Sequence, residues 1–187
     1  MEMNAQKGGR GKAQVKNIYA RGADDGFWLG LYLAGLFAVS VLSLNVAVLN
    51  PVAFAMMCAV PFLTYFYLRR THKAAHGMTL FSALWMQGIT MFVCASLIFG
   101  LVSFVYLRWI DGGFLERVLR LGMEYYGSVP SESAQAMSDE LRMVLESGAM
   151  PSASMIVMAW MWLIMFGGAL LSLVVSVVVR MMKVRRD

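Results

Sequence analysis

The sequence predicts an all-α integral membrane protein: four transmembrane helices, with a short two-helix extracytoplasmic insert between helices three and four. Three observations carry that prediction. The 187-residue chain is 59% hydrophobic and 14% charged, where soluble domains average about 45 to 50% and about 25%. Four stretches contain no Asp, Glu, Lys, Arg or His, and each meets or approaches the roughly 20 apolar residues that a helix needs to cross a hydrocarbon core about 30 Å thick. The charges that remain are divided unevenly by sign among the intervening segments.

In chain order, residues 1–26 read as a basic cytoplasmic tail, expected to be flexible. They lack the apolar core of about 7 to 15 residues and the small-residue cleavage site of a secretory signal, so the first span is expected to stay in the mature chain. Residues 27–179 read as the membrane domain, with spans at about 27–49, 52–68, 78–107 and 152–179. Asn50-Pro51 separates the first two, with Asn suited to capping and Pro to the first helical position, which predicts a tight antiparallel hairpin. Pro61 falls inside the second span and should kink it. Residues 108–151 form the outer insert. "GGFLERVLRLGMEYYG" spaces Phe114, Leu115, Val118, Leu119 and Met123 helically, and "SESAQAMSDELRMVLESG" repeats the pattern with Ser131 as cap and Gly148 as stop. Residues 180–187 are a second basic cytoplasmic tail.

Lysines and arginines in short loops set orientation. Twelve of the sixteen lie in the N-terminal tail, the loop after span two and the C-terminal tail, whereas residues 108–151 hold four against seven acids. Both termini are therefore expected in the cytoplasm and the insert outside.

Few residues suggest chemistry. His72 and His76 are one helical turn apart, as two metal ligands would be. The neighbouring Arg69, Arg70 and Lys73 repel a dication, and no acid or thiol joins them, so residues 69–77 read as an ordinary cytoplasmic loop and alanine at both histidines should be tolerated. No span holds an ionisable residue as drawn, which weighs against a proton-coupled transporter, a pump or a carboxylate protease. Polar groups inside the spans are expected to join helices or line a groove: Asn45, Thr64, Trp85, Gln87 and Thr90. Cys58 and Cys94 lie in apolar runs and read as small buried hydrophobes. Gly30 with Ala34, Ser96 with Gly100, and Gly167-Gly168 offer close helix approach. No G-x-S-x-G, phosphate-binding loop or nucleic-acid motif is present.

The blocks "VPFLTYFYLRRTH", "TLFSALWMQGI" and "LIFGLVSFVYLRWID" resemble the domain-of-unknown-function 4199 family, small four-span inner-membrane proteins found mainly in Bacteroidota. The resemblance runs from Gly26 to Val179 and is clearest over Val60 to Asp111. It implies an envelope protein of unknown biochemical role, often encoded near a membrane glycosyltransferase similar to polyprenyl-phosphate sugar transferases. The basic N-terminal tail is longer than the family leads one to expect.

Residues and resemblance together point to a non-enzymatic inner-membrane subunit with no cofactor and no metal. It would bind another membrane protein, or a homo-oligomer partner, or a lipid-linked intermediate, and would support an envelope glycosyltransferase. Arg69, Arg70 and Lys73 would touch headgroups or the partner. The alternatives are a small transporter or flippase for a lipid or amphipathic solute, and a membrane sensor using the outer insert.

Overall fold

The computed structural model describes residues 2–75, 79–147 and 151–181, with α1 side chains described from Ile18 onward. Its helices are α1 (Glu2–Ser43), α2 (Asn50–Ala74), α3 (Phe81–Val105), α4 (Phe114–Ser128), α5 (Glu132–Glu146) and α6 (Ala153–Met181). A 3₁₀ turn (Ala47–Leu49) precedes α2, and a π-helical stretch (Tyr106–Ile110) follows α3. No strand occurs among the described residues. The segments Ile18–Ser43, Asn50–Ala74, Phe81–Ile110 and Ala153–Met181 are long and apolar enough to cross a membrane. The chain is a multi-pass membrane protein.

Two span boundaries differ from expectation. The helix of the first span stops at Ser43 rather than 49. Near the stop, the Ser43 hydroxyl bonds the Ser40 carbonyl at 2.7 Å. The Leu44 and Asn45 amides reach back three residues to Val41 and Leu42, the tightened geometry of a terminating turn. Asn50 is the first residue of α2 and not its cap; Leu49 takes that position without a side-chain bond, and Pro51 sits in the first turn. The second span runs past 68 to Ala74, because Thr71 and His72 bury and hold the last turns against the bundle. Residues 69–74 are thus helix and not loop. Gly148, expected to end α5, lies outside the described residues.

The chain forms two compact units, Met1–Gly100 with Trp160–Asp187, and Leu101–Ala159. In the first, α2 returns antiparallel to α1. The Tyr32 hydroxyl donates to the Met56 carbonyl at 2.7 Å. Leu29 and Leu33 of α1 meet Met91, Phe92 and Ala95 of α3 in one core cluster, and Leu68, Leu84, Val175 and Val179 join α2, α3 and α6 in another. Phe37, Phe99 and Trp160 interlock edge to face, with centroids 5.8 to 6.2 Å apart. Large apolar side chains such as Phe54, Phe62, Leu163 and Leu170 point outward, as a surface facing lipid requires.

Lipid tails are as apolar as leucine, so close packing rather than water exclusion must hold these helices together. Glycines supply it. Gly22, Gly26 and Gly30 form a stripe on α1 that lies directly on α3: a methyl group at Gly26 would sit 2.6 Å from the Met91 carbonyl oxygen and 2.8 Å from Cys94 Cβ. Gly88 of α3 is filled by Ser172 of α6, and Gly168 of α6 by the Phe92 ring. The centre of this unit is therefore α3, with a glycine seam on either side. Gly35 and Gly167 face open space.

In the second unit α4 and α5 pair antiparallel. Gly122 lies opposite Leu141, and Gly127 opposite Ser138, whose hydroxyl donates to the Met123 carbonyl at 3.3 Å. Ser131 caps α5, accepting from the Ala134 amide at 3.4 Å. Exposed pairs Arg120–Glu116 and Arg142–Glu146 add about 0.3 to 0.5 kcal/mol each. Asp111 accepts from the Tyr106 hydroxyl at 3.1 Å and pairs with Arg117. The Arg117 guanidinium holds the Asp111 carboxyl below its ordinary 3.8.

Two outcomes follow from these contacts. Gly26→Ala should destabilise the membrane unit by about 1 to 3 kcal/mol through overpacking against backbone, while Gly167→Ala leaves it unchanged; SDS-titrated unfolding of the purified chain reads both. The stabilisation from Asp111 is full above 3.8 and disappears as pH falls through its lowered native value. Asp111→Asn should therefore lower the melting temperature at pH 7, by an amount that shrinks as pH falls below 3.8.

Candidate functional site

One face of α1 carries Arg21, Asp24, Asp25 and Trp28, and one face of α2 carries Tyr67, Arg70, Thr71 and Ala74. Both follow the i, i+3, i+4, i+7 spacing that lines residues along a helix. The two faces, with Phe27, enclose a polar cavity of about 560 Å³. Two of its lining residues are held from α3. The fully buried Gln87 donates from Nε2 to Thr71 Oγ1 at 2.8 Å and to Asp25 Oδ2 at 3.0 Å. Glycine makes this reach possible, because Gly22 lets α1 approach until a methyl there would lie 2.9 Å from the Gln87 carbonyl oxygen. Gln87 Oε1 is buried and has no hydrogen-bond partner among the described residues.

The cavity is balanced in charge. Arg21 and Arg70 face Asp24 and Asp25 across it, yet no ion pair joins these four, since the ion pairs among the described residues lie at Asp111 and beyond. Their hydrogen-bonding capacity is open to a ligand or to water. Phe27 and Trp28, both exposed on α1, supply the aromatic ring surface that favours the headgroup layer.

A second cavity in the same unit is almost wholly apolar, about 460 Å³, between α1, α2, α3 and α6. Leu33, Phe37, Val60, Pro61 and Phe92 form its base and Leu163 and Gly167 its α6 side.

The residues singled out from sequence separate into three groups. Arg70 lines the polar cavity, and Gln87 bonds two of its lining residues. Trp85 bridges α3 to α6, its Nε1 donating to the Ala169 carbonyl at 3.3 Å. The others do not reach a groove through their polar atoms. Thr64 bonds its own Val60 carbonyl and Thr90 its own Met86 carbonyl, both at 2.9 Å. Asn45, expected inside span one, is exposed in the turn after α1, because the helix ends at Ser43. Arg69 lies over the Tyr65 ring, 5.6 Å from its centroid, and Lys73 is exposed in the last turn of α2. His72 is buried, with Nδ1 unpartnered among the described residues, so alanine there opens a hole, contrary to the loop reading. His76 lies outside the described residues.

Arg21, Asp24, Asp25 and Thr71 were not expected at a site, since residues 1–26 read as tail and 69–77 as loop. The available signal was the glycine spacing at 22, 26 and 30, which marks a face of close helix approach continuing past residue 27 toward the N-terminus, beside Asp25. Asp25 is the last ionisable residue of α1, directly before its uncharged run 26–43.

Residues 25–181 match the family model described as Protein of unknown function (DUF4199). The chain belongs to the DUF4199 family. Neither a curated protein nor a solved structure matches it. The DUF4199 segment takes in Asp25, all of α2 and Gln87, while Arg21 and Asp24 stand just ahead of it.

Gln87→Leu should cost about 1 to 3 kcal/mol, because Thr71 and Asp25 lose their shared donor at little change in volume. Asp25→Asn should cost less, since an amide oxygen still accepts. Unfolding of each purified variant checks the order.

Proposed function

We propose that this DUF4199 protein is a non-enzymatic inner-membrane subunit that holds a lipid. The acyl or polyprenyl chain lies in the apolar groove and the headgroup in the polar cavity. The observation that carries the reading is the placement of both cavities along the same helix, α2. Val60 and Pro61 line the groove, and Tyr67, Arg70 and Thr71 the polar cavity. At 1.5 Å per residue, Val60 and Tyr67 are about 10 Å apart along the axis, an offset suited to the upper chain and headgroup of one lipid.

The charge tally supports both termini in the cytoplasm, the polar cavity at the inner headgroup layer and α4–α5 outside. The cavity walls support binding over catalysis, since no Ser, Cys, His or Lys is among the lining residues and no nucleophile–base pair is assembled. Lipid held in this way can be presented to a neighbouring membrane enzyme. The family resemblance favours a glycosyltransferase that uses polyprenyl-phosphate sugars as that neighbour.

Gly167 lines the groove and faces open space, so a large side chain there fills the groove without striking the protein. Native mass spectrometry after extraction in mild detergent should find lipid on the wild-type chain and several-fold less on Gly167→Phe, with Gly35→Ala unaffected. Equal retention by all three, or none by the wild type, would overturn the proposal.

A further inference from the structure

We infer that the polar cavity recognises a phosphate joined to a primary amine, the headgroup of a phosphatidylethanolamine-type lipid, in preference to anionic or choline headgroups. The inference rests on the lipid-holding reading and identifies the lipid.

Charge complementarity carries the first step. A purely anionic phosphate would be drawn by Arg21 and Arg70 but repelled by Asp24 and Asp25, all four lining one cavity of about 560 Å³. A zwitterion satisfies both signs at once, with phosphate on the guanidiniums, which bind it through paired N–H groups, and ammonium on the carboxylates. That the four side chains form no ion pair with one another leaves them available for such a ligand.

The acceptor inventory carries the second step. Asp25 and Thr71, both in the cavity wall, are tied to the buried carboxamide of Gln87, whose Oε1 has no donor among the described residues. A primary ammonium brings three N–H donors for the lining acceptors, the Asp24 and Asp25 carboxylates and the Thr71 hydroxyl. A quaternary ammonium brings none and could use only the aromatic faces of Trp28 and Tyr67. The acceptors therefore select ethanolamine over choline.

The test reconstitutes the full chain in vesicles containing equal phosphatidylethanolamine, phosphatidylglycerol and phosphatidylcholine with identical acyl chains, extracts it in mild detergent and quantifies the bound lipid. Phosphatidylethanolamine should be enriched about tenfold over each competitor, as charge-assisted hydrogen bonds allow. Asp25→Asn should abolish the enrichment while total bound lipid persists. Asp24→Asn, at an exposed position, should reduce it without touching the Gln87 bonds. Soluble O-phosphoethanolamine should compete weakly. If it binds lipid-free protein as tightly as the lipid does, the ligand is a free phosphoamine and the lipid assignment is wrong. Bound lipid in the vesicle ratio, or a preference for phosphatidylglycerol or an added polyprenyl phosphate, would overturn the headgroup assignment and leave lipid holding intact. Absence of any bound lipid would remove both.

Discussion

The contact on which the membrane unit depends is the glycine stripe of α1 against α3. Hydrophobicity makes the four long helices enter a bilayer, but it cannot tell one arrangement of them from another once they are there. Backbone proximity can. Where Gly22, Gly26 and Gly30 meet Gln87, Met91 and Ala95, dispersion contacts accumulate over main-chain atoms that no larger residue could bring together. On its other side α3 receives α6 through Gly88 and Gly168. The register of three helices is thereby set by five missing side chains.

That register has a polar consequence. It brings Gln87 within hydrogen-bond distance of Asp25 and Thr71, so the carboxylate just ahead of the uncharged part of α1 finds a donor. A carboxylate packed between helices loses part of its hydration, and such groups are kept when they are partnered or used. Here the partner is an amide whose own oxygen is left wanting. Two lining residues of the polar cavity, Asp25 and Thr71, are thereby fixed by packing, and walls held in this way need little reordering if a ligand binds.

Much of the fold was legible because an uncharged apolar run of some 20 residues or more is at home in few settings besides a bilayer core. The four spans, the hairpin at Asn50-Pro51 and the two amphipathic helices after Gly113 all carry patterns that tertiary context has little power to change. The ends of α1 and α2 were not legible. Arg21, Asp24, Asp25, Arg69 and Arg70 look like tail and loop when counted as charges, yet each sits on a helix whose other face is buried. Long cationic side chains at a helix end can reach the headgroup layer while the backbone stays helical. Gln87 was visible as a polar residue between spans, but its partners were not, because the pairing depends on the closeness of two backbones. Thr64 and Thr90 show the converse: a hydroxyl in a span can satisfy itself on its own helix.

The family places this chain among proteins whose role is open, so the argument for lipid holding rests on the cavities and on the seam that shapes one of them. The most direct measurement of that dependence is a double-mutant cycle between Gly26→Ala and Gln87→Leu, read as unfolding free energy in mixed micelles. If the glycine seam positions the Asp25–Gln87 bond, the cost of Gln87→Leu should shrink in the Gly26→Ala background, with a coupling of about 0.5 to 3 kcal/mol. Costs that add to within about 0.5 kcal/mol would show that the seam and the polar cluster are independent, and would contradict the account.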